Sequence, residues 1–154
     1  MPYDFSFRRI VILNNQQALE NNIALAMELI KSFPEINDEN SPDSNYYFTK
    51  TVIDHTKEYP EQHFYIKSET GSFFYYFSFW KDNLYVELGA GDNVIERFKH
   101  LKDYSKVILN HGFQIEDPLG NELLSEDVGF EKHIEEYKKW AGFVEYVRDI
   151  TKEA

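Results

Sequence analysis

Five histidines, His55, His63, His100, His111 and His133, and 27 acidic side chains are the groups in this sequence able to move a proton or hold a metal ion. His55 and His63 bracket a turn that also carries Glu58 and Glu61. A hairpin there could bring both imidazoles beside a carboxylate, as a metal site does. The spacing matches no standard zinc pattern, and ordinary surface histidines are the better account of it. His111 stands near the end of a helical pattern, where capping and the helix dipole account for it. His133 lies in "EKHIEE", one histidine among solvated acids and not the two-histidine helical zinc motif. Glu87 is the carboxylate of most interest, because a charge set into an apolar sheet is costly unless it is paired or at an edge. A ligand pocket built from Glu87 with His55 or His63 is therefore one reading of the chain, as a small ligand-binding or hydrolytic domain lined by aromatics.

Other chemistry is poorly represented. "GAGD", residues 89–92, falls between a strand and a helix, a context that can hold phosphate. It lacks a third glycine and a lysine–serine pair, and Asp92 sets a negative charge where an anion would sit. A strand-to-helix turn is the better account. No serine lies in a nucleophile-elbow pattern. The absence of cysteine rules out disulfides, thiolate catalysis and cysteine-ligated metal. No catalytic residue, metal ligand or cofactor is implied.

The elements that would position these groups follow from periodicity. Residues 3–13 read as a first strand, its alternation broken near Arg8 and Arg9. Asn14 or Asn15 can cap a helix running to Phe33, with Leu19, Ile23, Ala26, Ile30 and Phe33 as its stripe and Pro34 as its stop. Residues 34–45, "PEINDENSPDSN", hold four acids, no base and turn residues throughout, so they form a long loop. Strands are expected over residues 46–55, 62–68, 72–80 and 84–88, joined by short turns as an antiparallel meander. A helix over about 93–110 ends at "NHGF", where Gly112 can take the left-handed cap position. A short strand at 113–116, a "DPLGN" turn and a last helix over about 126–151 complete the chain. The order β-α-β-β-β-β-α-β-α predicts a single α+β domain over residues 1–154, mainly an antiparallel sheet with flanking helices.

One strand is unusual. "SFFYYFSFW", residues 72–80, carries aromatics on both faces: Phe73, Tyr75, Phe77 and Phe79 on one, Phe74, Tyr76 and Trp80 with Ser78 on the other. The last helix also carries two stripes. Phe130, Ile134, Tyr137, Ala141, Val144 and Val147 form one, and Trp140, Phe143 and Tyr146 the other. Their combined arc exceeds what one-sided packing needs. The economical expectation is that this helix covers the sheet's second face and offers its remaining stripe to a neighbour or a partner.

Charge narrows the partner. With a net charge of −11, the chain repels nucleic acid and anionic lipid and attracts cations. Residues 116–136 hold eight acids against one lysine, among them Glu131, Glu135 and Glu136. An aromatic anchor beside an acidic dock is the pattern of a surface that binds a basic protein, with Glu131, Glu135, Glu136, Trp140, Phe143 and Tyr146 as the contact residues. No nucleic acid or membrane is expected as partner. The N-terminal residues lack a signal-peptide pattern and no run approaches membrane-spanning length, so a cytoplasmic location is the expectation.

Two short motifs carry a resemblance. "MPYDFSF" is similar to the M-S-Y-D-aromatic start of a group of small uncharacterised bacterial proteins, in which a helix ending in HG leads to a strand and a YDPQ-x-G turn. "ILNHGFQIEDPLGNEL", residues 108–123, looks like that second motif: Gly112, Asp117, Pro118 and Gly120 match, while Glu116 replaces the tyrosine and Leu119 the glutamine. Proteins of this kind resemble the small acidic immunity proteins found near bacterial toxin genes. The resemblance implies a non-enzymatic, immunity- or inhibitor-type binding protein and brings no catalytic residue with it.

Overall fold

The computed structural model describes residues 3–37, 61–70, 73–89, 93–120 and 122–153. His55, Glu58 and the strand expected over 46–55 lie outside them. In chain order the elements are β1 (Tyr3–Arg9), α1 (Asn15–Ser32), β2 (Ile36–Asn37), β3 (Gln62–Thr70), β4 (Phe73–Trp80), β5 (Asn83–Leu88), α2 (Val94–Leu109), β6 (Phe113–Glu116), β7 (Leu123–Leu124) and α3 (Glu126–Glu153). The fold is α+β, and its elements follow the expected order. Two two-residue strands, β2 and β7, form at the sheet edges, where the sequence pattern shows only loop and turn.

Local chemistry sets the boundaries. Asn14 closes a capping box on α1: its side chain accepts from the Gln17 backbone at 2.8 Å, and the Gln17 side chain accepts from the Asn14 backbone at 3.2 Å. Gly112 takes φ of +85°, the left-handed turn expected of it. Its carbonyl accepts from the Ile10 backbone at 2.8 Å. β1 ends at Arg9 and not at Leu13; past that bond, Ile10, Val11 and Ile12 stand out in solvent, Ile12 at 94% exposure.

Among the described residues the sheet has seven strands in the order β2-β3-β4-β5-β1-β6-β7, antiparallel throughout. The meander β3–β5 is local in sequence, whereas β2 joins it from far up the chain, Ile36 pairing with Ser68, and β1 is inserted between β5 and β6. The alternation of β4 is as expected: Tyr75, Phe77 and Phe79 are fully buried, and Tyr76, Ser78 and Trp80 are only partly covered.

The last helix does not cover the second face. Phe5 of β1 touches Phe98 of α2 and also Phe130 and His133 of α3, with ring centroids 6.2, 5.0 and 4.0 Å away. Tyr104 of α2 lies edge-on to Tyr75 and Phe77 of the same face. Asn22 of α1 reaches His63 and the Trp80 carbonyl. All three described helices therefore share one side of the sheet. The reason is that β1, β5 and β6 align Phe5, Phe7, Leu84, Val86, Leu88, Phe113 and Ile115 into one apolar plane, all fully or almost fully buried. The opposite plane is interrupted by Asp4, Ser6, Arg8, Asn83, Glu87 and Gln114, whose desolvation a packed helix could not offset.

Close approach of α3 to β6 depends on Gly129. A Cβ there would lie 2.6 Å from the Ile115 Cγ2 atom, whereas Gly142 on the same helix has nothing within 4 Å. Alanine is intrinsically favoured over glycine in a helix by about 1 kcal/mol, and overpacking costs about 1–3 kcal/mol. Gly142→Ala is thus expected to raise the melting temperature and Gly129→Ala to lower it. Two shifts of the same sign in parallel thermal melts would contradict the packing described.

Candidate functional site

The side of the sheet opposite the described helices is a lattice set by register. Asp4 lies directly opposite Glu87, and Tyr76 opposite Glu87 on the other flank. Lys67 faces Tyr76. In the next row Tyr65 faces Ser78, Ser78 faces Tyr85, and Tyr85 faces Ser6. Tyr65 is 61% exposed and its ring lies 6.4 Å from that of Tyr76. The Trp80 indole donates to the Ser78 hydroxyl at 3.0 Å, which holds the indole along the surface. Among the described residues no helix covers this face.

Asp4 and Glu87 form a like-charged pair of directly opposed residues on this face. Burial pushes the Asp4 carboxyl up, and burial followed by repulsion from Asp4 pushes the Glu87 carboxyl up. Arg8, the arginine of this face, is engaged by Glu116 at 2.7 Å instead. The "DPLG" turn forms the rim. The Asp117 carboxylate accepts from the Leu119 backbone at 2.9 Å and from Lys132 at 3.2 Å, and those bonds hold its pKa below the usual carboxylate value. Asp4, Ser6, Tyr85, Glu116 and the turn enclose a shallow cavity of about 360 Å³.

The pocket grouping of Glu87 with His63 is not assembled. His63 is fully buried on the helix side, its Nδ1 accepting from Asn22 at 2.9 Å, while Glu87 stands on the opposite face. His55 lies outside the described residues. Arg9, Asn22 and His63 form one buried polar chain: the guanidinium donates to Asn22 and to the Lys81 carbonyl and stacks over Phe113 at 4.5 Å. The other histidines have their own partners. His100 meets the Tyr75 ring edge-on, and His111 pairs with the Glu28 carboxylate of α1, a contact between elements where helix capping was expected. Among the described residues no three metal-ligating side chains converge.

His133 is the residue sequence reasoning missed. It is fully buried, not one of a solvated set. Its Nε2–H donates to the Glu116 carbonyl and its Nδ1 accepts from the Tyr3 hydroxyl, both at 2.8 Å. Burial lowers its pKa to about 4, against weaker opposing pulls from the Glu116 carbonyl, Asp117 and Glu136. The available signal was the spacing of Phe130, His133, Tyr137 and Trp140, steps of three and four that put the imidazole on the packed stripe.

The contact residues expected on α3 separate into two groups. Trp140 is half-buried against Tyr3 and Tyr137, so it belongs to the margin of the core. Phe143 and Tyr146 are 65% and 63% exposed. Glu131 and Glu135 are exposed, and Lys139 bridges Glu135 and Glu136 at 3.6 and 3.1 Å. A helix of 28 residues is about 42 Å long, and its described core contacts end near Ala141. Among the described residues, no helix is long and apolar enough to cross a membrane. Compared with known proteins, the chain matches no family model, no curated protein and no solved structure.

Proposed function

We propose that this protein is a non-enzymatic binding module for a basic protein, of the immunity or inhibitor type. The observation that supports this most is the exposure of Phe143 and Tyr146 on the outer part of α3, about two to four turns beyond the exposed acids Glu131 and Glu135. Two large aromatics left in water on an acidic helix have the composition of an interface anchor with a charged rim. A net charge of −11 sets the sign of the partner and favours fast, salt-sensitive association. The resemblance of residues 108–123 to immunity-like proteins points the same way. The ligand-pocket alternative has less support, since His63 faces the core and is bonded to Asn22.

The test is kinetic. Affinity capture from lysate of the native host, at low and at high salt, supplies a partner for surface-plasmon measurement. Phe143→Ser with Tyr146→Ser is expected to speed dissociation about tenfold or more, a loss of about 1.4 kcal/mol or more. Glu135→Lys with Glu136→Lys is expected to slow association and flatten its salt dependence. Trp140→Ala is expected to lower stability instead, because its ring packs on Tyr3 and Tyr137. Binding indifferent to salt and to all four of these substitutions would overturn the reading.

A further inference from the structure

We infer that His133 is a proton-operated latch: proton uptake by its imidazole releases α3 from β1 and β6 while α1, α2 and the β3–β5 meander stay folded. The inference stands whether or not the outer part of α3 binds a basic protein. His133 is fully buried where α3 meets β1 and the end of β6. Its Nε2 lies 2.8 Å from the Glu116 carbonyl, which can only accept, so that nitrogen carries the hydrogen. Its Nδ1 must then accept from the Tyr3 hydroxyl, also at 2.8 Å. One neutral imidazole thus ties the helix to two strands. A second ring proton does not fit this pattern, because a hydrogen on Nδ1 would meet the Tyr3 hydrogen unless that hydroxyl turned away.

The surroundings do not answer the charge that the proton brings. Neither bond of the imidazole goes to a carboxylate. In the turn after β6, Asp117 is engaged by the Leu119 backbone and by Lys132. On α3 itself, Glu136 is bridged by Lys139. On β1, Asp4 and Arg8 stand on the opposite face of the sheet, and Arg8 pairs with the Glu116 carboxylate. From α2 the neighbour is the apolar Phe98, packed on Phe5 and Tyr137. Phe5, stacked on the imidazole at 4.0 Å, offers a cation–π contact that returns only part of the lost hydration. Release restores water to the ring, so a proton favours the released helix. Release ahead of global unfolding follows from the order of the elements. α3 is the last of those described, so it can leave without drawing another with it. The meander keeps its own cover: Tyr104 of α2 lies against Tyr75 and Phe77, and Asn22 of α1 bonds the Trp80 carbonyl. An element held at few points opens locally before the whole molecule does.

The experiment is amide hydrogen exchange of the full chain, isotopically labelled and followed by NMR at pH 7 and pH 5, with intrinsic exchange rates divided out. Opening constants over residues 130–137 are expected to exceed those of β4 and β5 by about tenfold or more at both pH values. They are also expected to rise about twentyfold from pH 7 to pH 5, as for a group whose pKa moves from about 4 to 6.5 on release. His133→Gln keeps a donor and an acceptor but no titrating proton, and there the rise is expected to shrink to less than about threefold. Equal opening constants in α3 and in β4–β5 would overturn the latch, because the molecule would then open as one unit. A twentyfold rise that persists in the variant would overturn the assignment to His133. The imidazole itself gives a readout free of any substitution. Its ring signals are expected to titrate below pH 5 in the folded protein. A midpoint near 6.5 would overturn the latch, since the proton would then be taken up with the helix in place.

Discussion

Phe5→Ala is expected to remove about 3–5 kcal/mol from the unfolding free energy, the range for deleting a buried aromatic ring. Phe5 is fully buried and touches Phe7 on its own strand, Phe98 on α2, and Phe130 and His133 on α3. It is the residue at which the sheet and two helices meet, so the cavity left behind cannot be closed by one element moving alone. The check is a denaturant titration compared with Phe143→Ala, whose ring is exposed and whose loss is expected within about 0.5 kcal/mol. A loss below about 1 kcal/mol for Phe5→Ala would mean that the helices do not share this face.

The second large effect is on acid stability. His133 titrates near pH 6.5 when unfolded and near 4 when folded, because burial excludes the imidazolium. Above pH 6.5 it is neutral in both states and adds no slope. Between 6.5 and 4 the unfolded chain takes up a proton that the folded chain refuses, so stability falls as pH falls. Integrated over that window the loss is about 3 kcal/mol. Asp4 and Glu87 act oppositely: their raised values disfavour the folded state above their titration range and are relieved as they protonate. The groups facing His133 are Tyr3 of β1, Glu116 and Asp117 at the end of β6, and Glu136 on its own helix. Denaturant titrations at pH 7, 6, 5 and 4 on the parent and on His133→Gln isolate the contribution. The variant is expected to lose most of the slope in this window. A parent and variant with parallel pH profiles would show that His133 is not the buried neutral group described.

How far the sequence speaks depends on the range of the interaction. Helix caps, the left-handed Gly112 and the alternation of β4 are local, and Asn14, Gly112 and Tyr75–Phe77–Phe79 behave as their types and spacing require. Which side of the sheet receives α3 is not local. The helix pattern shows that Phe130 and Tyr137 are inside, and the strand pattern shows two aromatic faces, but neither says which inside faces which. The deciding residues, Asp4, Arg8, Asn83 and Gln114, act only once β1 is aligned with β5 and β6. The Asp4–Glu87 opposition arises from the same long-range register. Glu87 stands out from sequence as a charge in an aromatic sheet, while the second carboxylate has no signal of its own. The break at Arg9 was visible, but not that the guanidinium turns inward to Asn22 and Phe113.

The position of β1 in the middle of the sheet also governs how the molecule is made. On the ribosome β1 emerges before β5 and β6, yet Tyr3 pairs with Leu88 and Phe7 with Ile115. Until β5 and then β6 have left the exit tunnel, Phe5 and Phe7 have no apolar plane to join. The meander β3–β5 can form earlier, because its pairings are hairpin-local. For that interval it carries the β5 edge open, with Leu84, Val86 and Leu88 beside a strand of aromatics, a surface that pairs readily with another nascent chain. Assembly then closes by insertion of the oldest strand into the newest gap. The burden this places on synthesis is one of timing, and it is invisible in the finished structure.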